Sequence, residues 1–198
     1  SVVSIGTVIL QTSINALGST IISAQTSARR IMVLALLPII AMNATITTFT
    51  SQNFGAKQYK RIIEGLRQAM AITITWSIFI SIVLFFASPY LNELITGSGD
   101  EELIYQASLY LKISSAFYPV LSVLVTLRNA LQGLGQKIMP LVSSIIEMLG
   151  KIFFVIIIIP RTGYLGVILV EPILWCIMAA QLYYAFRKEP VIRSLKKI

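Results

Sequence analysis

The stretch from Met139 to Ile159, MPLVSSIIEMLGKIFFVIIII, runs for 21 residues with two charges, Glu147 and Lys151. Coiled as an α-helix at about 1.5 Å per residue, it reaches across about 30 Å, the thickness of the hydrocarbon core of a bilayer. Lys137 precedes it and Pro160 closes it. A soluble helix keeps a polar face toward water, and most apolar segments of this chain keep none. Of 198 residues, 56% are hydrophobic and 12% charged, against about 25% charged in soluble domains, and the mean hydropathy is +0.82. This composition defines a membrane protein and excludes a soluble enzyme.

Working outward by the same rule of about 20 apolar residues per crossing gives six spans and an all-α transmembrane bundle. The first runs from Ser1 to about Ala16 and is short, as though its beginning were cut away. The second extends from about Ile21 to Thr50, with Arg29 and Arg30 in its first turns and Pro38 as a kink. The third covers about Ile62 to Ser88 and stops at Pro89; the fourth covers about Glu102 to Ala130, opened by Asp100, Glu101 and Glu102. The fifth is Met139 to Ile159, and the sixth Tyr164 to Phe186. Residues 1–187 then form one six-helix lobe, and residues 188–198 a basic cytoplasmic tail.

Sixteen Lys and Arg against eight Asp and Glu leave a net charge of +8. In a soluble domain that excess points to nucleic acid, but here it reads as membrane topology, with no nucleic-acid partner. Six spans put Lys57, Lys60, Arg61, Arg67, Arg128, Lys137, Arg187, Lys188, Arg193, Lys196 and Lys197 on one side. The other side receives Arg161, with Arg29 and Arg30 assignable to it, and the acids Glu93, Asp100, Glu101 and Glu102. The basic side is the cytoplasm by the positive-inside rule, which makes a multi-pass plasma-membrane protein with a cytoplasmic C-terminus. A single cysteine, Cys176, and no histidine give no disulfide and too few soft ligands for a zinc or iron site. No nucleotide loop or Ser/His/Cys constellation is present for catalysis.

Between the second and third spans lies SQNFGAKQYKRIIE, Ser51 to Glu64. Gln52 and Asn53 suit a helix end, Gly55 permits a left-handed turn, and Lys57, Lys60 and Arg61 suit anionic headgroups. Any tight inner loop profits from the same residue types. Two longer motifs go further: TFTSQNFGAKQYKRI, Thr48 to Ile62, with Gln52, Gly55, Ala56 and Arg61, and LRNALQGLGQKIMP, Leu127 to Pro140, with Arg128, Gln132, Gly133, Gly135 and Pro140. In these loops, their separation and the span count, the chain resembles the multidrug and toxic compound extrusion (MATE) transporters.

The resemblance implies one lobe of a twelve-helix protein whose two six-helix lobes flank a cavity, exporting substrates in exchange for H⁺ or Na⁺, with no other cofactor. The opening SVVSIGTVILQTSINALGS and the basic tail look like those of the C-terminal lobe, so a missing N-terminal lobe is an implied partner, beside the bilayer and a small cationic or amphipathic substrate. One branch of the family places acids for the coupling ion on helices matching the first and fourth spans. Here those helices offer Gln11, Asn15 and Lys112, so that arrangement does not carry over.

Polar groups at bilayer depth cost about 2.5–3.5 kcal/mol when charged. Glu147 and Lys151, four residues apart, should pair on one helix face, either as a neutralised packing pair or with Glu147 as the carboxylate whose ion affinity changes during transport. Glu171 stands before Pro172, where the freed carbonyl either joins a cation site or marks a kink. Gln11, Asn15, Gln25, Tyr118 and Trp175 are the candidates for the substrate cavity; interfacial anchoring and interhelical hydrogen bonding are their ordinary alternatives. Pro38, Pro119 and Pro140 are candidate bends. Two competing readings stand beside the antiporter. A flippase for lipid-linked precursors would gather Arg29, Arg30 and Lys112 on one shared face, and a non-transporting scaffold would need no buried ionic groups.

Overall fold

Backbone N–H and C=O groups cannot stay open in hydrocarbon, so apolar segments close them internally as helices. The computed structural model describes residues 2–97, 99–190 and 192, and among them every regular element is helical. In order these are α1 (Val2–Asn15), α2 (Ser19–Gly55), α3 (Tyr59–Thr96), α4 (Glu101–Ala116), α5 (Tyr118–Gly133), α6 (Ile138–Phe153), a π-helical turn (Phe154–Ile158), α7 (Ile159–Thr162) and α8 (Tyr164–Lys188). Four stretches among the described residues are long and apolar enough to cross a membrane: α2, α3, α6 through α7, and α8. The pair α4 and α5 passes the same test only when the two are taken together, bent by 55° at their junction, the geometry of a broken span or a re-entrant loop. Helix α1 has 14 residues.

Proline is where the expected boundaries fail. Pro89 does not stop α3, which continues to Thr96 and ends on the left-handed Gly97. A proline removes one backbone bond, whereas ending the helix there would open a full turn of carbonyls. Pro160 likewise does not end the fifth span, because the preceding turn widens and the Ile159 N–H bonds Phe154 O, five residues back. That wider turn accommodates a ring that would strike the carbonyl four residues earlier in a regular helix. The fourth span is not one straight helix. It breaks at Phe117, and Pro119 sits in the first turn of α5. The Ser115 carbonyl, to which Pro119 has no N–H to donate, accepts the hydroxyl of Ser81 from α3.

The core lies where α4 and α5 pack among α2, α3 and α8, with Tyr110, Leu111, Tyr118, Leu127 and Ile168 fully buried. Helix α1 packs chiefly against α6. A Cβ on Gly6 would stand 3.2 Å from the Met148 Cα, so the bare glycine sets how closely the two helices approach. Large apolar side chains left outside, such as Phe86, Leu94 and Ile156, form a surface suited to lipid.

The α2–α3 and α5–α6 loops close in the same way. Gln58 N–H bonds Asn53 O at 2.8 Å, and Gln136 N–H bonds Leu131 O at 2.9 Å. In each loop the residue before the glutamine is left-handed, Lys57 (φ 55°) in the first and Gly135 (φ 83°) in the second. This is the six-to-one closure of a Schellman motif. The left-handed residue of the first loop is therefore Lys57, while Gly55 remains helical. The repeated closure, Gly-Ala-Lys-Gln against Gly-Leu-Gly-Gln, is an internal correspondence that residue identity alone hides. Of the tail, Arg193, Lys196 and Lys197 lie outside the described residues.

Candidate functional site

Three helices converge on one carboxylate. Glu171 of α8 accepts a hydrogen bond from Arg29 Nη2 of α2 at 2.9 Å and another from the Tyr110 hydroxyl of α4 at 3.0 Å. Helix α2 begins at Ser19, so Arg29 lies about three turns inside it and not in its first turns. Glu171 stands about 10 Å into α8 from Tyr164. The Glu171 side chain is 13% exposed and that of Arg29 32%, so one flank of the pair remains reachable. Around it sit two polar atoms that are buried without a hydrogen-bond partner, Arg29 Nε and the Tyr118 hydroxyl of α5. The Tyr118 ring packs 6.2 Å from that of Trp175, one turn beyond Glu171.

The reachable flank opens on a cavity of about 740 Å³ lined by Thr26, Arg29, Arg30, Val33, Leu34 and Ile95. An adjoining cavity of about 330 Å³ shares Thr26, Arg30 and Ile95 and adds the hydroxyls of Ser23, Ser27 and Thr96. None of the five residues expected to face substrate lines either one. Gln25 is buried and accepts from the Tyr164 hydroxyl at 2.8 Å, tying α2 to α8. Tyr118 and Trp175 are buried against each other, and Gln11 donates to Asn15 at 3.0 Å along the outer side of α1. Lys112 lies over the Phe85 ring, 5.8 Å from its centroid, and lines neither cavity, so it shares no basic face with Arg29 and Arg30.

The second ionic pair forms as the spacing predicts. Lys151 Nζ stands 2.8 Å from Glu147 Oε1 on α6 and reaches the Thr7 hydroxyl of α1 at 3.4 Å. Lys151 is 4% exposed. Glu147 is about 14 Å from the start of α6, in the other half of the bundle from Glu171, because α6 and α8 begin at opposite ends.

The loop motifs prove to be joints. Gln52 offers its carbonyl to Ala56 N–H at 3.0 Å, and Gln52, Gly55, Ala56 and Arg61 are all exposed. Gly133, the last residue of α5, packs against α2, where a Cβ would come 2.6 Å from Thr50 Cβ, and the Thr47 hydroxyl donates to Asn129 Oδ1 at 3.1 Å. Arg128 donates from Nη2 to the Pro140 carbonyl at 3.3 Å and to the Ser144 hydroxyl. Pro140 is buried, whereas Gln132 and Gly135 are exposed. Sequence reasoning missed Tyr110, Thr7 and the partnership of Arg29. A regularly spaced stripe of Thr7, Gln11 and Asn15 was the one signal available for α1.

A helical bundle holding paired charges within its apolar spans is a polytopic membrane protein of the transporter type. The chain belongs to the MatE family, whose model matches residues 1–157, and the members of that family are transporters and not enzymes. It is similar to a probable multidrug resistance protein NorM of Thermotoga maritima, with 23% identity over 115 residues, covering 58% of this chain and 24% of that protein. A crystal structure of MATE in the bent conformation superposes with a TM-score of 0.86 at 22% identity, over 99% of this chain and 43% of that one. A crystal structure of MATE in complex with MaL6 gives 0.86 at 21% identity, over 100% and 44%. The chain thus spans less than half the length of these relatives.

Proposed function

We propose that this chain is one lobe, the C-terminal one, of a cation-coupled antiporter of the plasma membrane that exports cationic or amphipathic compounds by alternating access. A second six-helix lobe completes the cavity, and H⁺ or Na⁺ is the coupling ion. The observation that carries this reading is the Arg29–Glu171–Tyr110 cluster. Coupling requires a carboxylate whose ion affinity differs between two conformations. Glu147 and Lys151 share one helix and move together, whereas Glu171 is held by α2 and α4 from outside its own helix. A shift of α8 against α2 would release it to bind a cation in place of Arg29. A scaffold would hold such a cluster only as a structural ion pair, and the position of Lys112 away from Arg29 and Arg30 counts against a flippase.

The test is gradient-driven efflux of a cationic dye from vesicles carrying the full-length protein. Glu171→Gln should abolish efflux while the protein remains in the membrane, and Glu147→Gln should reduce it less. Breaking the cluster leaves Arg29 uncompensated, a loss of about 3–5 kcal/mol, so Arg29→Gln with Glu171→Gln serves as the folding control. Efflux and gradient dependence unchanged in well-inserted Glu171→Gln would overturn the assignment.

A further inference from the structure

At the end of the bundle that carries the α2–α3 loop, a polar cavity of about 480 Å³ opens between α5 and α6, lined by Arg128, Gln132, Gln136, Lys137 and Ser144 among others. Its volume is that of a small-molecule site. Arg128 is half-buried and fixed by Nη2 alone. Its Nε and Nη1 donors have no partner among the described residues, and the Lys137 ammonium beside them is exposed and unpaired. Two cations therefore share one concave site with no carboxylate in its lining. From its rim an apolar stripe of exposed residues, Ile138, Leu141, Ile145 and Leu149, runs along α6, with the three- and four-residue spacing of a single helix face.

A basic polar pocket at headgroup level, continuous with an apolar strip along the span, matches one kind of molecule: a phosphodiester headgroup with its acyl chain. We propose that this cavity is a binding site for an anionic phospholipid of the adjacent leaflet, with the phosphate against Arg128 and Lys137 and an acyl chain along the α6 stripe. Basic pockets between transmembrane helices take acidic lipids by this electrostatic complementarity. The site shares no lining residue with the Arg29–Glu171–Tyr110 cluster and assigns a role to the Arg128 to Pro140 motif.

The test uses the full-length protein in nanodiscs of phosphatidylcholine containing a small fraction of phosphatidylglycerol, with retained lipids counted by native mass spectrometry. The wild type should retain phosphatidylglycerol in preference to phosphatidylcholine, and Lys137→Gln should weaken that retention about fivefold, the effect of one basic side chain near an anionic surface. Arg128→Gln should weaken it further, while Lys60→Gln, at the same end but outside the cavity, should weaken it markedly less than Lys137→Gln. Because Arg128 also joins α5 to α6, Lys137→Gln is the decisive variant. Equal losses from Lys60→Gln and Lys137→Gln would mean diffuse attraction and overturn the site. So would equal retention of the two lipids, or displacement of phosphatidylglycerol by inorganic phosphate.

Discussion

Lys57 occupies the left-handed region at φ 55°, a conformation that costs a residue with a Cβ roughly 1–2 kcal/mol and glycine little. Gly135 holds the equivalent place in the second loop without that cost. Lys57→Gly should therefore stabilise the protein by about 0.5–1 kcal/mol and Gly135→Ala destabilise it by about 1 kcal/mol. Opposite shifts in thermal midpoint of the purified protein would check both; equal signs would refute the shared geometry. Residue reading of the sequence succeeds where partners lie one turn apart, as with Glu147 and Lys151. It fails for Arg29 and Glu171, which stand 142 positions apart, because nothing in local spacing says which faces of distant helices will meet. Gln25 shows the same limit: a polar group in a span can be taken up by a distant helix, as Gln25 is by Tyr164.

Helices announce themselves in this chain through apolar length, and their order follows the spans expected from it. Their ends and bends do not. Pro38, Pro89 and Pro172 all lie inside continuous helices, whereas Pro119 coincides with a 55° break. At the break the Ser115 carbonyl accepts a hydroxyl from another helix. Ser81→Ala should leave that carbonyl with the Phe117 N–H alone and cost about 0.5–1.5 kcal/mol, read as a lowered thermal midpoint. Ser81→Thr, which restores a hydroxyl, should recover most of it. No loss in Ser81→Ala would show that the bend is stable without its cross-link. Sequence alone places the proline but not the hydroxyl that the carbonyl accepts, which comes from α3, 34 positions earlier.

At the scale of the molecule, charge asymmetry gives an expected orientation. Lys57, Lys60, Arg61 and Lys137 lie at the end that carries the α2–α3 and α5–α6 loops, and the positive-inside rule predicts that this end faces the cytoplasm. In a Cys176→Ser background, Lys60→Cys should react with a membrane-impermeant maleimide in inside-out vesicles and be protected in intact cells; the reverse pattern would invert the topology. Within the lobe, α1 stands apart: it rests chiefly on α6, through Gly6 beside Met148 and Thr7 beside Lys151, and lightly on α2. Contact this close couples substitutions in the two helices. Among diverging relatives, a change at position 6 or 7 should be answered by one at 148 or 151, leaving an evolutionary record of covariation from which α2 is absent.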